Sequence, residues 1–181
     1  MYFFIKDELG KIPGFLSAVF YLYAPYHLVD MHFRVAIGEV LTFVFLPLSF
    51  LFSKKTIQNR DFKWIFLQAL FFAFIILSHQ AISLSTLPFL FIYALFIVKR
   101  KKQGFIPLFR FLLSILIGIS FSSFYWLPVI FEARFLGWGI NPQISFPKLE
   151  ELLFSPWRYG FLFQGPKGQL SFIIGYPQLL I

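Results

Sequence analysis

Residues 62–102 read FKWIFLQALFFAFIILSHQAISLSTLPFLFIYALFIVKRKK. Two apolar runs, 62–77 and 82–98, are separated by Ser78-His79-Gln80, and Ser83–Thr86 extends the break. Lys99-Arg100-Lys101-Lys102 then halts the second run. An α-helix rises about 1.5 Å per residue, and the hydrocarbon core of a bilayer is about 30 Å thick. A near-continuous apolar run approaching 20 residues is therefore read as a spanning helix, and a cationic cluster after it as a stop-transfer signal. Two helices that cross a membrane in opposite directions are the simplest reading of this stretch.

The flanking sequence repeats the pattern. Residues 35–53 are apolar except for Glu39 and Thr42, with a kink predicted at Pro47. Residues 12–28 form a shorter apolar and aromatic run. It opens with Pro13, tolerated in a first helical turn, and contains Pro25, so a short span or an interfacial helix would suit it. Residues 105–131 make one long predicted span, with Arg110 near its start and Trp126-Leu127-Pro128 near its end. Residues 132–170 turn polar and rich in Gly, Pro and aromatics, an outer loop. Residues 1–5 and 171–181 read as partial spans cut at the chain ends, residues 1–5 stopping at Lys6-Asp7-Glu8. A secretory signal would place its basic residues before the apolar run.

Composition agrees. Hydrophobic residues make up 59% of the 181 and charged residues 13%, about half the charge of an ordinary soluble domain. The fold class expected is all-α: a polytopic transmembrane helical bundle with one longer extracytoplasmic loop, truncated at both ends. There is no cysteine, hence no disulfide framework or thiolate metal site, and the three histidines could furnish at most part of a metal site.

The net charge of +8 is distributed unevenly. If 6–11, 54–63 and 99–104 share one side, with Arg110 close to it, that side holds eleven of the sixteen basic residues and three acids. The opposite side holds five of each, so the whole excess lies where the positive-inside rule places the cytoplasm. No continuous basic face with interleaved stacking residues remains, which excludes a nucleic-acid partner. The partner expected is the lipid bilayer.

Ionisable residues are costly inside a membrane, and those that persist tend to face polar cavities. In this topology Asp30, His32, Arg34, Glu39, His79, Glu132 and Arg134 gather at the outer face. Asp30 and Arg34 are four apart and share a helix face. They form either a plain ion pair or a phosphate-binding arginine held by a carboxylate, since a guanidinium offers two parallel donors to an anion. Glu39, about one turn inside its helix, either pairs with Arg34 or a neighbouring helix or orients Arg34. His79 is an interfacial residue bonded to a carbonyl, a ligand contact or a proton shuttle. Glu132 and Arg134 suit a helix exit in water, and Tyr125 and Trp126 an aromatic belt. There is no phosphate-binding glycine loop, no His-Glu-x-x-His and no Gly-x-Ser-x-Gly.

The ordered strings Tyr23-Ala24-Pro25-Tyr26-His27-Leu28-Val29-Asp30, Arg34, Glu39, Leu46-Pro47-Leu48, Leu77-Ser78-His79, Phe124-Tyr125-Trp126-Leu127-Pro128, Glu132 and Ile174-Gly175 cover most of the chain. Together they resemble the bacterial membrane proteins called 6-pyruvoyl-tetrahydropterin synthase-related, which are similar to the C-type glycosyltransferase superfamily. That resemblance does not imply pterin chemistry. It implies a longer parent in the bacterial cytoplasmic membrane, of which this chain is an internal fragment, inactive alone. It also implies a polyprenyl-phosphate-linked sugar donor and an acidic residue in an upstream outer loop. The sequence departs from the pattern at Gln80, where asparagine is more usual, and at His32, an added polar group.

Two readings follow. In the first, the parent is a glycosyltransferase: Arg34 contacts the phosphate, Asp30 or Glu39 orients it and is a candidate catalytic carboxylate, and His79 and Glu132 line the same outer cavity. No cofactor motif is present, no metal site is expected in these residues, and they do not decide whether the parent uses a divalent metal. In the second, the same polar residues serve a non-catalytic transporter or a scaffold of an envelope assembly.

Overall fold

The computed structural model describes residues 1–102, 104–132, 135, 148–154 and 172–179. Among these residues the regular structure is entirely helical. In chain order the helices are α1 (Tyr2–Leu9), α2 (Lys11–Leu22), α3 (Pro25–Val29), a π-helical turn (Asp30–Arg34), α4 (Ile37–Gln58), α5 (Phe62–Ser78) and α6 (Gln80–Arg100). They continue with α7 (Ile106–Phe121), α8 (Ser123–Glu132), α9 (Leu149–Leu153) and α10 (Tyr176–Leu179). Helices α4 and α6 are long and apolar enough to cross a bilayer. Two bent pairs also qualify if each is taken as one broken span, giving two to four spanning elements in an all-α membrane protein. At 17 residues, α5 is slightly short.

The bends have local causes. The run predicted at 12–28 breaks at Tyr23–Ala24, where α2 and the Pro25–Arg34 segment meet at 47°. A residue before proline is pushed out of the helical region, and Ala24 is extended at φ −60°, ψ 133°. The single span predicted at 105–131 is instead two helices meeting at 66°. Ser122 lies between them, and its hydroxyl donates to the carbonyls of Gly118 and Ile119, both at 3.1 Å. Trp126 Nε1 also donates to Ile119 O at 3.0 Å. A broken helix in lipid must satisfy its own freed carbonyls; the Gly118 carbonyl keeps the Ser122 N–H at 3.3 Å, and the side chains of Ser122 and Trp126 serve that of Ile119.

The ends also differ from a simple reading of hydropathy. Helix α1 runs through Lys6, Asp7 and Glu8 and closes at Gly10, because charges end an apolar run without ending a helix. Residues 172–175 are non-helical and lead into the four-residue α10. Of the predicted outer loop 132–170, Arg134 and most of the remainder lie outside the described residues. Helix α9 lies within them, its first turn closed by Lys148 N–H donating to Glu151 Oε2 at 3.0 Å.

The chain divides into two compact units, Met1–Val40 with Gly139–Ile181, and Leu41–Trp138. In the first, α1 packs on α2. The C-terminal segment joins through Gln178 Nε2, which donates to Phe20 O at 2.9 Å, and Ile174 N–H, which donates to Leu152 O at 3.0 Å. Gly175 has φ +110°, and a Cβ there would lie 2.9 Å from Pro25 Cδ.

In the second unit, Ile57, Phe72, Ile76, Leu90, Ala94, Ile97, Phe111 and Ile115 form one buried cluster. Polar residues are buried beside it. Thr42, Ser49, Ser53 and Thr56 of α4 and Gln68 of α5 are enclosed. Gln68 Nε2 donates to Ser49 Oγ at 3.1 Å, and Thr56 Oγ1 to Trp64 O at 2.8 Å. Small residues let α5 and α7 approach closely, as in membrane helix packing generally. A Cβ on Gly118 would lie 2.7 Å from the Ala69 carbonyl oxygen.

Candidate functional site

Tyr26, Asp30 and Arg34 follow one another at intervals of four, and Glu39 is five residues further on. The backbone brings Glu39 back to the others. Asp30–Arg34 form a π-helical turn, and Ala36 N–H donates to Asp30 O at 3.0 Å. Val35 then adopts a left-handed conformation, φ 48°, ψ 40°, which is rare for a β-branched side chain. Helix α4 starts two residues later, with Glu39 in its first turn, where the helix dipole favours an acid.

Arg34 is the hub. Its Nη1 donates to Asp30 Oδ1 at 2.6 Å, and its Nη2 to Glu39 Oε1 at 2.7 Å. Nη1 also reaches Glu39 Oε2 and the Tyr26 hydroxyl, both at 3.1 Å. The Tyr26 hydroxyl donates to Glu39 Oε2, and the guanidinium carbon lies 5.9 Å from the Tyr26 ring centroid. The Asp30 side chain is wholly buried and that of Glu39 is 9% exposed, whereas that of Arg34 is 39% exposed. One cation therefore faces two carboxylates.

The donor inventory shows what remains. A guanidinium has five N–H groups. The Arg34 bonds above use Nη1 and one edge of Nη2; no hydrogen bond among the described residues uses Nε–H. The Nε/Nη2 edge is thus the uncommitted, side-on edge of a guanidinium whose end-on edge holds Glu39. On the carboxylate side, Asp30 Oδ2 is buried and has no hydrogen-bond partner among the described residues.

The other predicted site residues lie in the second unit. His79 joins α5 to α6 and caps α6: its Nδ1 accepts the Ile82 N–H at 3.3 Å. Glu132 ends α8 with an exposed side chain. In the same unit a largely apolar groove of about 310 Å³ lies among α5, α6, α7 and α8, with Gln80, Ser83 and Trp126 in its lining. In the first unit, His32 Nδ1 lies 3.1 Å from Leu28 O, and the His27 ring packs edge-on against Tyr21. Among the described residues no three His, Asp or Glu side chains are grouped to hold a metal. Sequence reasoning missed Tyr26 as a site residue; its spacing of four before Asp30 was the available signal.

Residues 1–152, which include every candidate side chain above, match the model of the 6-pyruvoyl-tetrahydropterin synthase related domain, described as a membrane protein. The chain belongs to that family. It is also 25% identical over 132 residues to a protein of Lactococcus lactis subsp. cremoris (strain MG1363) described as an uncharacterized protein. The alignment covers 71% of this chain and 22% of the relative, so the chain spans less than a quarter of that protein's length. No solved structure matches. The Asp30–Arg34–Glu39–Tyr26 cluster lies within the family domain.

Proposed function

We propose that this chain is part of a glycosyltransferase-like protein of the bacterial cytoplasmic membrane, one that uses a sugar linked to a polyprenyl phosphate at the outer face. The observation that carries the reading is the side-on edge of Arg34. Two carboxylates and a tyrosine hold the guanidinium, which keeps paired donors to offer a phosphate oxygen pair. An acceptor hydroxyl would attack the anomeric carbon, a carboxylate would take its proton, and the bond to the phosphate oxygen would break with its electrons. Arg34 would stabilise the departing phosphate, with Asp30 and Glu39 positioning it. The assignment rests on the first unit alone; His79 and Glu132, in the second, have no step in it.

The test is sugar transfer from a lipid-linked donor in membranes containing the full-length protein. Arg34→Lys keeps the charge but loses the fork, and should lower transfer by roughly 1.4–2.7 kcal/mol of transition-state stabilisation, about ten- to a hundredfold. Unchanged transfer in Arg34→Lys and Glu39→Gln, with both variants folded, would remove the site assignment.

A second reading rests on Asp30. A fully buried carboxylate with an uncommitted oxygen is also what a transporter needs to carry a proton or cation. If proteoliposomes with the full-length protein take up substrate in response to a proton gradient, and Asp30→Asn abolishes that uptake, the transporter reading replaces the transferase.

A further inference from the structure

We infer that a groove in the second unit, at the end of α4 and the start of α7, binds the phosphodiester headgroup of an anionic membrane lipid. The groove measures about 590 Å³, and its lining includes Arg60, Gly104, Phe105, Ile106, Pro107 and Arg110. It shares no residue with the Arg34 cluster and does not depend on the transferase reading.

Three observations converge. The first is uncompensated charge. Arg110 Nη1 donates to the Asn59 carbonyl, and Nη2 to the Ile57 carbonyl at 3.2 Å. These bonds complement the carbonyl end of α4 and fix the guanidinium, but a carbonyl does not neutralise it. Among the described residues neither Arg110 nor Arg60 makes an ion pair; the nearby Asp61 pairs instead with Lys63 at 3.2 Å. The second is an unmet donor: Arg110 Nε is buried with no acceptor among the described residues, a condition native structures rarely leave unanswered. The third is the wall. Phe105 and Ile106 are 69% and 74% exposed, so apolar surface for acyl chains adjoins the two arginines.

Charge and position select the occupant. The helix ends here carry Lys54, Lys55, Lys63 and Lys99–Lys102, and basic pockets between membrane helices on such a face suit anionic headgroups. A soluble anion would match the arginines but make no use of the apolar rim.

The experiment is lipid retention by the full-length protein, moved from native membranes into phosphatidylcholine nanodiscs containing a minor share of phosphatidylglycerol and read by native mass spectrometry. Phosphatidylglycerol should stay bound and phosphatidylcholine should not. Arg60→Gln, which leaves the Arg110 bonds at the end of α4 intact, should weaken retention about fivefold, as expected for one basic residue at a charged surface. Arg110→Lys should weaken it at least as much, and Lys101→Gln/Lys102→Gln should weaken it less than either. Equal losses in all three variants would mean diffuse attraction and overturn the site, as would retention unchanged by both arginine substitutions. Displacement of the lipid by inorganic phosphate alone would overturn the lipid assignment in favour of a soluble anion.

Discussion

Arg34 is the cation on which two enclosed carboxylates depend, and its removal separates energetic from chemical roles. Arg34→Met should lower stability in detergent by about 3 kcal/mol, the low end for breaking a buried pair because the guanidinium is partly exposed. Thermal unfolding measures this. Adding Asp30→Asn and Glu39→Gln to Arg34→Met should restore most of the loss, since the uncompensated charges then disappear. A triple variant no more stable than Arg34→Met would mean that the cluster does not depend on charge pairing. Val35 makes a second prediction. The residue is 63% exposed, so little packing holds its left-handed backbone. Val35→Gly should raise stability by about 0.5–1 kcal/mol, the left-handed penalty less the added chain entropy. The Asp30–Arg34 pair was legible from its spacing. The bidentate bond to Glu39 was open among alternatives, because a left-handed valine between the two residues leaves no mark in hydropathy or propensity.

At the scale of helices, Gly118 sets how closely α5 and α7 approach. A Cβ there meets the Ala69 carbonyl at 2.7 Å, a backbone atom that cannot rotate away. Gly118→Leu should destabilise the second unit by about 1–3 kcal/mol, as overpacking does. Leu116→Phe, on the exposed face of the same helix, should be near neutral, since Leu116 is 61% exposed. Differential scanning of the two variants side by side checks this. The apolar runs of α4, α5 and α6 were legible because hydrophobicity and helix coincide there. The break at Ser122 was not: the run 105–131 stays apolar across it, and a serine bonding its own carbonyls looks like any small helical residue. The Ala24 break does carry a signal in sequence, since proline constrains the residue before it. The polar seam around Gln68 is hidden, because one glutamine in an apolar run does not reveal the serine opposite.

At the scale of the whole molecule the orientation makes one prediction. The chain has no cysteine, so single cysteines can be introduced cleanly. Lys101→Cys should react with a membrane-impermeant maleimide only after permeabilisation, and Ala81→Cys in intact cells. The reverse pattern would invert the orientation drawn from the charge distribution. Architecture and charge bias were readable because both are summed over many residues; site chemistry depends on a few side chains and one unusual backbone angle. The one-residue joint at His79 bears on biogenesis. Helix α5 ends at Ser78 and α6 starts at Gln80, leaving a single residue, and no longer loop, to turn at the outer surface between them. The translocon would therefore receive α5 and α6 as a single helical hairpin, with the short α5 retained in lipid by its partner until Lys99–Lys102 anchors the pair.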